Sequence, residues 1–284
     1  MPKGHALVIG LNGVDPNHYD GWDGTLNVCE ADANKTQAYL KKQKFGNIIK
    51  LLTKEATRAN VISALDNLAS TASADDLVVV YYSGHGGNEI PDLNKDEDDP
   101  WSDRFDETWC LYDAQLIDDE MYYQWRKFKK GVRIILLSDS CFSGDIAKLM
   151  VSAKSGPSKA MPKKEGEKTY AKNKKFYNKI VKDLASKELK TFKSTKKGKI
   201  TASLLQISSS QEFQTSNAET DRFPNNSLFT AVLFKIINSK TKKMKSYEQL
   251  IATIKKSMPD SQMPNEQMLG DLSLKIQLQK PFSI

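Results

Sequence analysis

Two short glycine-containing segments, each directly after a strongly apolar run, constrain this 284-residue chain more than any other feature. The first is Tyr82–Gly87, after Leu77–Tyr81, and the second is Asp139–Gly144, after Val132–Leu137. Short apolar runs bounded by turn residues predict buried strands. If the two strands are parallel, the residues that follow them meet at the carboxyl edge of one sheet, where open α/β sheets place their ligands.

A histidine and a cysteine stand in these two segments, His85 in the first and Cys141 in the second. A thiol becomes a good nucleophile when a neighbouring base favours the thiolate. Of the three histidines, only His85 follows a predicted strand inside a glycine turn. A structural histidine and a buried structural cysteine are the alternative interpretations, but their joint placement favours nucleophilic catalysis.

The rest of the chain predicts an α/β fold with a mainly parallel central sheet and helices on both faces, because short apolar strands alternate with helical segments. The predicted strands are Ala6–Leu11, Asn47–Leu52, Leu77–Ser83, Val132–Asp139, Thr201–Ser208 and Leu272–Leu278. The predicted helices are Glu30–Lys42, one capped by Thr57, Asp118–Phe128, Ser227–Asn238 and Ser246–Met258.

Composition indicates the cellular compartment and argues against membrane association. Three cysteines are too few for a disulfide framework and fit a reducing compartment, so we predict a cytoplasmic protein. No apolar run reaches the length of a membrane span, and the early start of the first predicted strand leaves no room for a signal peptide. We therefore expect no membrane association.

The net charge of +7 is unevenly distributed. Residues 152–199 carry 16 lysines against four acidic residues, whereas residues 89–120 carry 13 acidic residues against two basic ones. The lysines stand in a low-complexity stretch without a nucleic-acid-binding motif, so we expect no nucleic acid partner. We interpret this stretch as a solvated linker, although Lys168–Leu189 has the periodicity of a charged surface helix.

The two glycine segments resemble the histidine and cysteine blocks of metacaspases and their prokaryotic relatives, within the caspase-fold cysteine peptidases. Gly24–Ala33, Ile117–Glu120 and Ile207–Ser216 resemble further segments of that family. The resemblance implies a caspase-like three-layer sandwich. It also implies a large catalytic part at 1–151 and a small part at 200–284 that completes the same sheet. The Lys-rich insert at 152–199 separates these parts and falls outside the resemblance.

A peptidase of this kind needs a nucleophile, a proton carrier and an oxyanion hole. We expect Cys141 to attack the scissile carbonyl and His85 to protonate the leaving amine. The backbone N–H groups of Gly86 and Cys141 are the predicted oxyanion donors, because both follow a strand that breaks into a turn.

The substrate pocket is predicted to be acidic. Asp139 lies two residues before the nucleophile, and the resemblance implies that Asp32 is a second pocket acid with Cys29 and Ser83 as lining residues. Two converging carboxylates bind Arg or Lys, which predicts cleavage after basic residues. A charge that favours the start of a helix is the alternative role for Asp32.

The acidic stretch raises the question of calcium. Asp92–Asp103 places oxygen ligands like an EF-hand loop but has Glu97 where that loop needs glycine. The resemblance implies activation by Ca²⁺, and the alternative is a solvated acidic loop. The candidate ligands are Asp96, Asp98, Asp99, Asp103, Asp118 and Asp119.

The predicted specificity and the insert suggest self-processing, with cleavage somewhere within Lys154–Lys199. The predicted partners are protein or peptide substrates with basic residues, and we expect a monomer. Three alternatives stay open: an inactive caspase-fold scaffold, a basic nucleic-acid-binding protein, and a related peptidase with different pocket chemistry.

Overall fold

The computed structural model describes residues 1–91, 105–141, 157–194, 199–210, 216–218, 220, 223–239 and 243–284. Within them a six-stranded sheet has the order β2-β1-β3-β7-β8-β9, and β9 is its single antiparallel strand. A separate antiparallel sheet has the order β4-β5-β6. The strands are β1 Gly4–Gly10, β2 Asn47–Leu52, β3 Leu77–Ser83, β4 Gly86–Pro91, β5 Phe105–Cys110, β6 Gln115–Ile117, β7 Arg133–Asp139, β8 Ser203–Ser208 and β9 Asn265–Gly270.

Helices cover both faces of the large sheet, as predicted. The six α-helices of the described residues are α1 Cys29–Lys42, α2 Arg58–Thr71, α3 Asp118–Trp125, α4 Lys163–Ser194, α5 Leu228–Ile237 and α6 Tyr247–Lys255. One core cluster joins α2 and α3 to the sheet, and a second joins α1, α5 and α6 to its other face. The arrangement is a three-layer α/β sandwich.

The central strand β3 shows why the sheet is buried on both faces. All seven of its residues are buried. Val78, Val80 and Tyr82 enter one core cluster, whereas Val79 and Tyr81 enter the other. Successive side chains of a strand point to opposite faces of the sheet. A strand in which apolar and polar residues do not alternate must therefore be covered by other elements on both faces.

The parallel register aligns the ends of the central strands. Gly10 of β1 pairs with Ser83 of β3, and Ser83 pairs with Asp139 of β7. Gly10 also lets α1 approach, since a Cβ atom there would lie 2.3 Å from the carbonyl oxygen of Cys29. This close approach brings the first turn of α1 to the edge of the sheet where β3 and β7 end.

Three expectations about local structure need correction. The predicted strand at Leu272–Leu278 is wrong, because Leu272–Leu274 and Ile276–Leu278 form 3₁₀ turns. The last strand is β9, whose mostly exposed residues do not show a buried-strand pattern. The antiparallel sheet β4-β5-β6 was not predicted. The Lys-rich stretch is not only a solvated linker, because part of it forms α4, which buries Tyr177, Val181 and Leu184.

The two flanking parts of the chain share one sheet, with β7 from residues 1–151 paired in parallel with β8 from residues 200–284. No helix among the described residues is long and apolar enough to cross a membrane.

Candidate active site

The predicted pocket residues meet where β3 and β7 end. Ser83 and Asp139 are register neighbours, and the Ser83 hydroxyl donates a hydrogen bond to Oδ2 of Asp32 at 2.9 Å. Cys29 begins α1 one turn before Asp32, and all four residues are fully buried. The structure therefore brings together the complete set of predicted pocket residues.

His85 lies between β3 and β4, with its side chain against the loop that joins β1 to α1. Its Nε2 atom is 3.1 Å from the carbonyl oxygen of Gly24, and its ring makes an edge contact with Trp22 at 4.8 Å between centroids. Nδ1 is buried and makes no hydrogen bond with the described residues. Because Gly24 fixes Nε2, Nδ1 is the nitrogen that is available for proton transfer.

Cys141 lies two residues after Asp139, the last residue of β7, and its side chain is fully buried. Its Sγ atom accepts a hydrogen bond from the Ser216 N–H and lies 3.9 Å from the Ser210 hydroxyl. Burial raises the pKa of the Cys141 thiol to about 11 and lowers the pKa of His85 to about 4. Both groups are therefore uncharged at neutral pH in this form of the protein.

A lysine from the Lys-rich stretch occupies the acidic pocket. The ammonium of Lys159 lies 3.0 Å from Oδ1 of Asp139 and 3.7 Å from Oδ2 of Asp32. It also donates to the Ser83 hydroxyl at 2.9 Å and to the Asp139 carbonyl oxygen at 3.1 Å. The side chains of Lys159 and both aspartates are 0% exposed, so this ion pair is sealed from solvent.

The charge of Lys159 is stabilised inside the pocket. Burial alone would lower the pKa of its ammonium, but the negative groups around it, led by Asp139, outweigh burial and raise that pKa. Burial raises the pKa of Asp32, and the nearby Lys159 opposes this shift. Without a cation in the pocket, two buried carboxylates would face each other.

The backbone of Lys159 lies across the two predicted oxyanion donors. Its carbonyl oxygen accepts from the N–H of Gly86 at 2.9 Å and from the N–H of Cys141 at 3.3 Å. Its own N–H donates to the carbonyl oxygen of Ser216 at 3.0 Å. On either side, Ala218 N–H bonds to Pro157, and Met161 N–H bonds to Gly86. The segment 157–161 is thus held in the manner of an extended peptide substrate.

The two pocket acids are held by hydroxyl groups from the C-terminal part of the chain. Asp139 accepts from the hydroxyls of Ser216 at 2.9 Å and Thr230 at 2.6 Å. Asp32 accepts from the backbone N–H of Ser227 at 3.0 Å and from its hydroxyl. Fully hydrogen-bonded carboxylates keep a defined position, which a specific pocket requires.

Several residues of this site were missed by sequence reasoning: Gly24, Lys159, Ser216, Ser227, Thr230 and Gln262. Gln262 is fully buried, accepts from the Asn217 N–H at 3.1 Å and donates to the Ser216 hydroxyl at 3.1 Å. Gly24 and Ser216 stand in segments that resemble the family, as do Ser227 and Thr230, but neither the resemblance nor any local spacing gave these residues a role in the site. Lys159 was included only as one of 16 lysines in the range proposed for self-processing.

The predicted metal ligands are only partly described. Asp96, Asp98, Asp99 and Asp103 lie outside the described residues. Asp118 and Asp119 open α3 and, with Glu107, line a cavity of about 340 Å³. In the described part of the chain, no three His, Cys, Asp or Glu side chains gather as a metal site. The described residues therefore do not by themselves fit a calcium ion.

Comparison with known proteins gives a family model and several relatives that match the chain. A family model described as Caspase domain matches residues 3–272. Metacaspase-1A from Aspergillus fumigatus is 34% identical over 153 residues, covering 50% of this chain and 35% of that protein. Metacaspase-1 from Emericella nidulans is 33% identical over 153 residues, covering 50% of this chain and 36% of that protein. The chain spans about a third of the length of these curated relatives.

A crystal structure of a Geobacter sulfurreducens protein is similar over the whole chain. It is 38% identical with a TM-score of 0.82, and the match covers 100% of this chain and 99% of that one. The family model covers nearly all of the chain, including the histidine and cysteine segments and the strands that carry them. The chain is therefore a metacaspase-like member of the caspase domain family of cysteine peptidases.

Proposed function

We propose that this protein is a cysteine endopeptidase that cleaves peptide bonds after lysine or arginine, with Cys141 as the nucleophile and His85 as the proton carrier. One observation carries the proposal: Lys159 has its ammonium between Asp139 and Asp32 while its carbonyl oxygen receives the N–H groups of Gly86 and Cys141. Cleavage after a basic residue requires that its side chain lies in the acidic pocket. It also requires that its carbonyl oxygen lies at the two N–H donors of the oxyanion hole.

The first chemical step is acylation. The thiol of Cys141 loses its proton to Nδ1 of His85, and the sulfur attacks the carbonyl carbon of the basic residue. The carbonyl π electrons move to the oxygen, which becomes an oxyanion held by the two N–H groups. When the C–N bond breaks, the imidazolium returns its proton to the leaving amine, and a thioester remains on Cys141.

The second step is hydrolysis of the thioester. Water gives one proton to the neutral imidazole of His85 as its oxygen attacks the thioester carbonyl. The C–S bond then breaks, the sulfur takes up the proton from the imidazolium, and a carboxylic acid is released. The carbonyl of Gly24 supports both steps because it keeps Nε2 occupied and the ring oriented.

The peptide bond between Lys159 and Ala160 is the proposed site of self-processing. It is the bond whose carbonyl oxygen lies at the oxyanion donors, and it falls inside the range predicted from the lysine content. While this bond is intact, Lys159 fills the pocket and excludes other substrates. Cleavage turns a tethered residue into a free chain end that can leave.

A Lys159→Met variant tests the function and the processing site together. We expect wild-type protein to yield fragments 1–159 and 160–284, found by intact mass and by an N-terminal sequence that begins at Ala160. Lys159→Met removes the charge that the two aspartates bind and should abolish this cut, as should Cys141→Ala. Lys164→Met, at an exposed lysine four residues beyond the bond, is the matched control and should be cut like wild type.

Hydrolysis of peptides with Lys, Arg or Asp at the cleaved position completes the test. Cleavage after Lys or Arg that Cys141→Ala abolishes supports the proposal. Cleavage after Asp would contradict the assignment of the pocket, and no cleavage of the peptides or of the chain itself under any condition would favour the inactive scaffold.

Activation by Ca²⁺ is a separate part of the proposal. Its support is the sequence composition of residues 89–120, which carry 13 acidic residues against two basic ones, because carboxylate oxygens are the ligands that Ca²⁺ prefers. We expect Ca²⁺ to accelerate self-processing and a double Asp118→Asn, Asp119→Asn variant to weaken that effect. Rates that are the same in Ca²⁺ and in chelator would contradict it. A monomeric state and a cytoplasmic location stay predictions, which light scattering and cell fractionation can check.

A further inference from the structure

Helix α4 packs against the part of the molecule that carries His85. Its buried residues Tyr177, Val181 and Leu184 form a cluster with Ile90 of β4 and with Ile117. The helix therefore has an apolar docking face, although its opposite face is rich in lysine. It directly follows the segment that occupies the active site, and its attachment does not depend on Lys159.

Polar contacts tie α4 to the loop between β1 and α1, here called the 14–24 loop after its residues. The Asn173 side-chain amide donates to the carbonyl oxygen of His18 at 2.9 Å. The Tyr177 hydroxyl lies 2.7 Å from Nε2 of His18 and accepts from the N–H of Gln115 at 3.1 Å. Asn173 has non-helical backbone angles, so α4 kinks at the residue that binds the loop.

The 14–24 loop in turn forms the wall behind His85. Tyr19 is fully buried, donates its hydroxyl to the Leu111 carbonyl at 2.7 Å and packs edge-on against Trp22. Trp22 packs edge-on against the His85 ring. The carbonyl of Gly24 holds Nε2 of the same ring. A continuous set of contacts therefore runs from Asn173 and Tyr177, through the loop, to the imidazole.

We propose that Asn173 and Tyr177 are positioning residues that hold His85 in its reactive orientation through the 14–24 loop. This inference rests on the proposed function, in which His85 transfers protons during catalysis. Its consequence is that the insert has two opposite effects. Lys159 blocks the pocket, whereas α4 supports the catalytic histidine and must stay docked after the bond at 159–160 is cut.

Histidine NMR gives a test that does not need activity. The chain has three histidines, His5, His18 and His85, so selective ¹³C or ¹⁵N labelling yields three sets of ring signals. We expect Asn173→Ala with Tyr177→Phe to shift the signals of both His18 and His85 while His5 stays unchanged. The titration of His85 should move up toward the ordinary range, because a loosened loop admits water to a buried ring.

A matched control keeps the test specific. Lys175→Ala alters an exposed residue of the same helix between the two positions and should leave all three histidines as in wild type. If the double variant fails to fold, Asn173→Ala alone, at a half-buried position, carries the same expectation. Movement of the His18 signals with an unchanged His85 spectrum and titration would overturn the proposal.

Kinetics of the processed enzyme give the second readout. We expect the double variant to lose on the order of tenfold in kcat, within the range that general acid–base catalysis contributes. KM for a Lys peptide should stay the same, because none of the pocket residues changes. An unchanged kcat, or a rise in KM alone, contradicts the role of α4. Absence of Cys141-dependent cleavage in wild type would instead refute the proposed function, and the NMR result still decides whether α4 controls His85.

Discussion

At the scale of single residues, the geometry of the pocket depends on the short segment 216–218 as much as on the two acids. Ser216 contacts the site three times: its hydroxyl donates to Asp139, its N–H donates to Cys141, and its carbonyl accepts from Lys159. Gln262 holds this segment from behind. A buried amide that uses both its oxygen and its nitrogen fixes a backbone more firmly than apolar packing can.

Gln262→Met should therefore weaken substrate binding. It keeps the side-chain volume but removes the bonds to Asn217 and to the Ser216 hydroxyl. We expect KM for a Lys peptide to rise about tenfold with a smaller change in kcat, the equivalent of losing one or two buried hydrogen bonds at ~1 kcal/mol each. Gln267→Met, at an exposed position of β9, is the control. An unchanged KM in Gln262→Met would show that segment 216–218 keeps its position without hydrogen bonds from Gln262.

The reactivity of Cys141 should depend on pH differently before and after processing. Burial raises the pKa of the Cys141 thiol to about 11 in the occupied site, so the thiolate fraction in the single-chain protein is small at pH 7 and reaches one half only near pH 11. Departure of the segment 157–161 exposes the thiol to water and also removes the charge of Lys159, which in the occupied site lowers the pKa of Cys141. Burial is the largest cause of the raised pKa, so we expect the pKa and the midpoint of alkylation by iodoacetamide to fall in processed protein. Peptide mapping by mass spectrometry separates alkylation of Cys141 from alkylation of Cys29 and Cys110 in both forms. Equal midpoints in the two forms would contradict this account.

At the scale of elements, the burial of each strand explains which strand predictions succeeded and which failed. The buried strands β1, β3, β7 and β8 show as apolar runs because both faces of the sheet are covered. The exposed edge strand β9 has no such run, so the apolar alternation of Leu272–Leu278 gave a wrong strand prediction. Hydrophobic periodicity reflects which residues are buried. It indicates a helix or a strand only where the element has a buried face.

Helix α2 gives a prediction at this scale. Thr57 was predicted as its N-cap, and the Thr57 hydroxyl accepts from the N–H of Asn60 at 3.2 Å. Thr57→Ala leaves that N–H without its partner and should lower the free energy of unfolding by about 1 kcal/mol. Chemical denaturation measures the change. Peptide hydrolysis should be unaffected, and a large loss of activity would mean that α2 has a role in the site beyond support.

At the scale of the whole molecule, the cut at Lys159–Ala160 divides one sheet between two chains. β7 on the first fragment pairs in parallel with β8 on the second, and the core clusters on both faces contain residues of both fragments. Helix α4 belongs to the second fragment but packs against β4 of the first. Separation would expose this apolar surface to water.

Processed protein should therefore stay assembled. We expect the fragments 1–159 and 160–284 to co-elute in size-exclusion chromatography at the volume of the intact chain and to separate only in denaturant. Native mass spectrometry should give the mass of the two fragments together. Separate elution of the fragments in native buffer would contradict both this prediction and the role of α4 after processing.

The sequence by itself determined the class of fold and predicted that His85 and Cys141 follow two parallel strands, because strands buried on both faces show as apolar runs whose ends are visible locally. The prediction of Asp32, Cys29 and Ser83 as pocket residues depended on the resemblance to metacaspases. Only the tertiary structure decided that Lys159, rather than any other of the 16 lysines, occupies the pocket, and that α4 reaches the loop behind His85. Both arrangements join residues that are distant along the chain, and such contacts are selected by the packing of the whole fold.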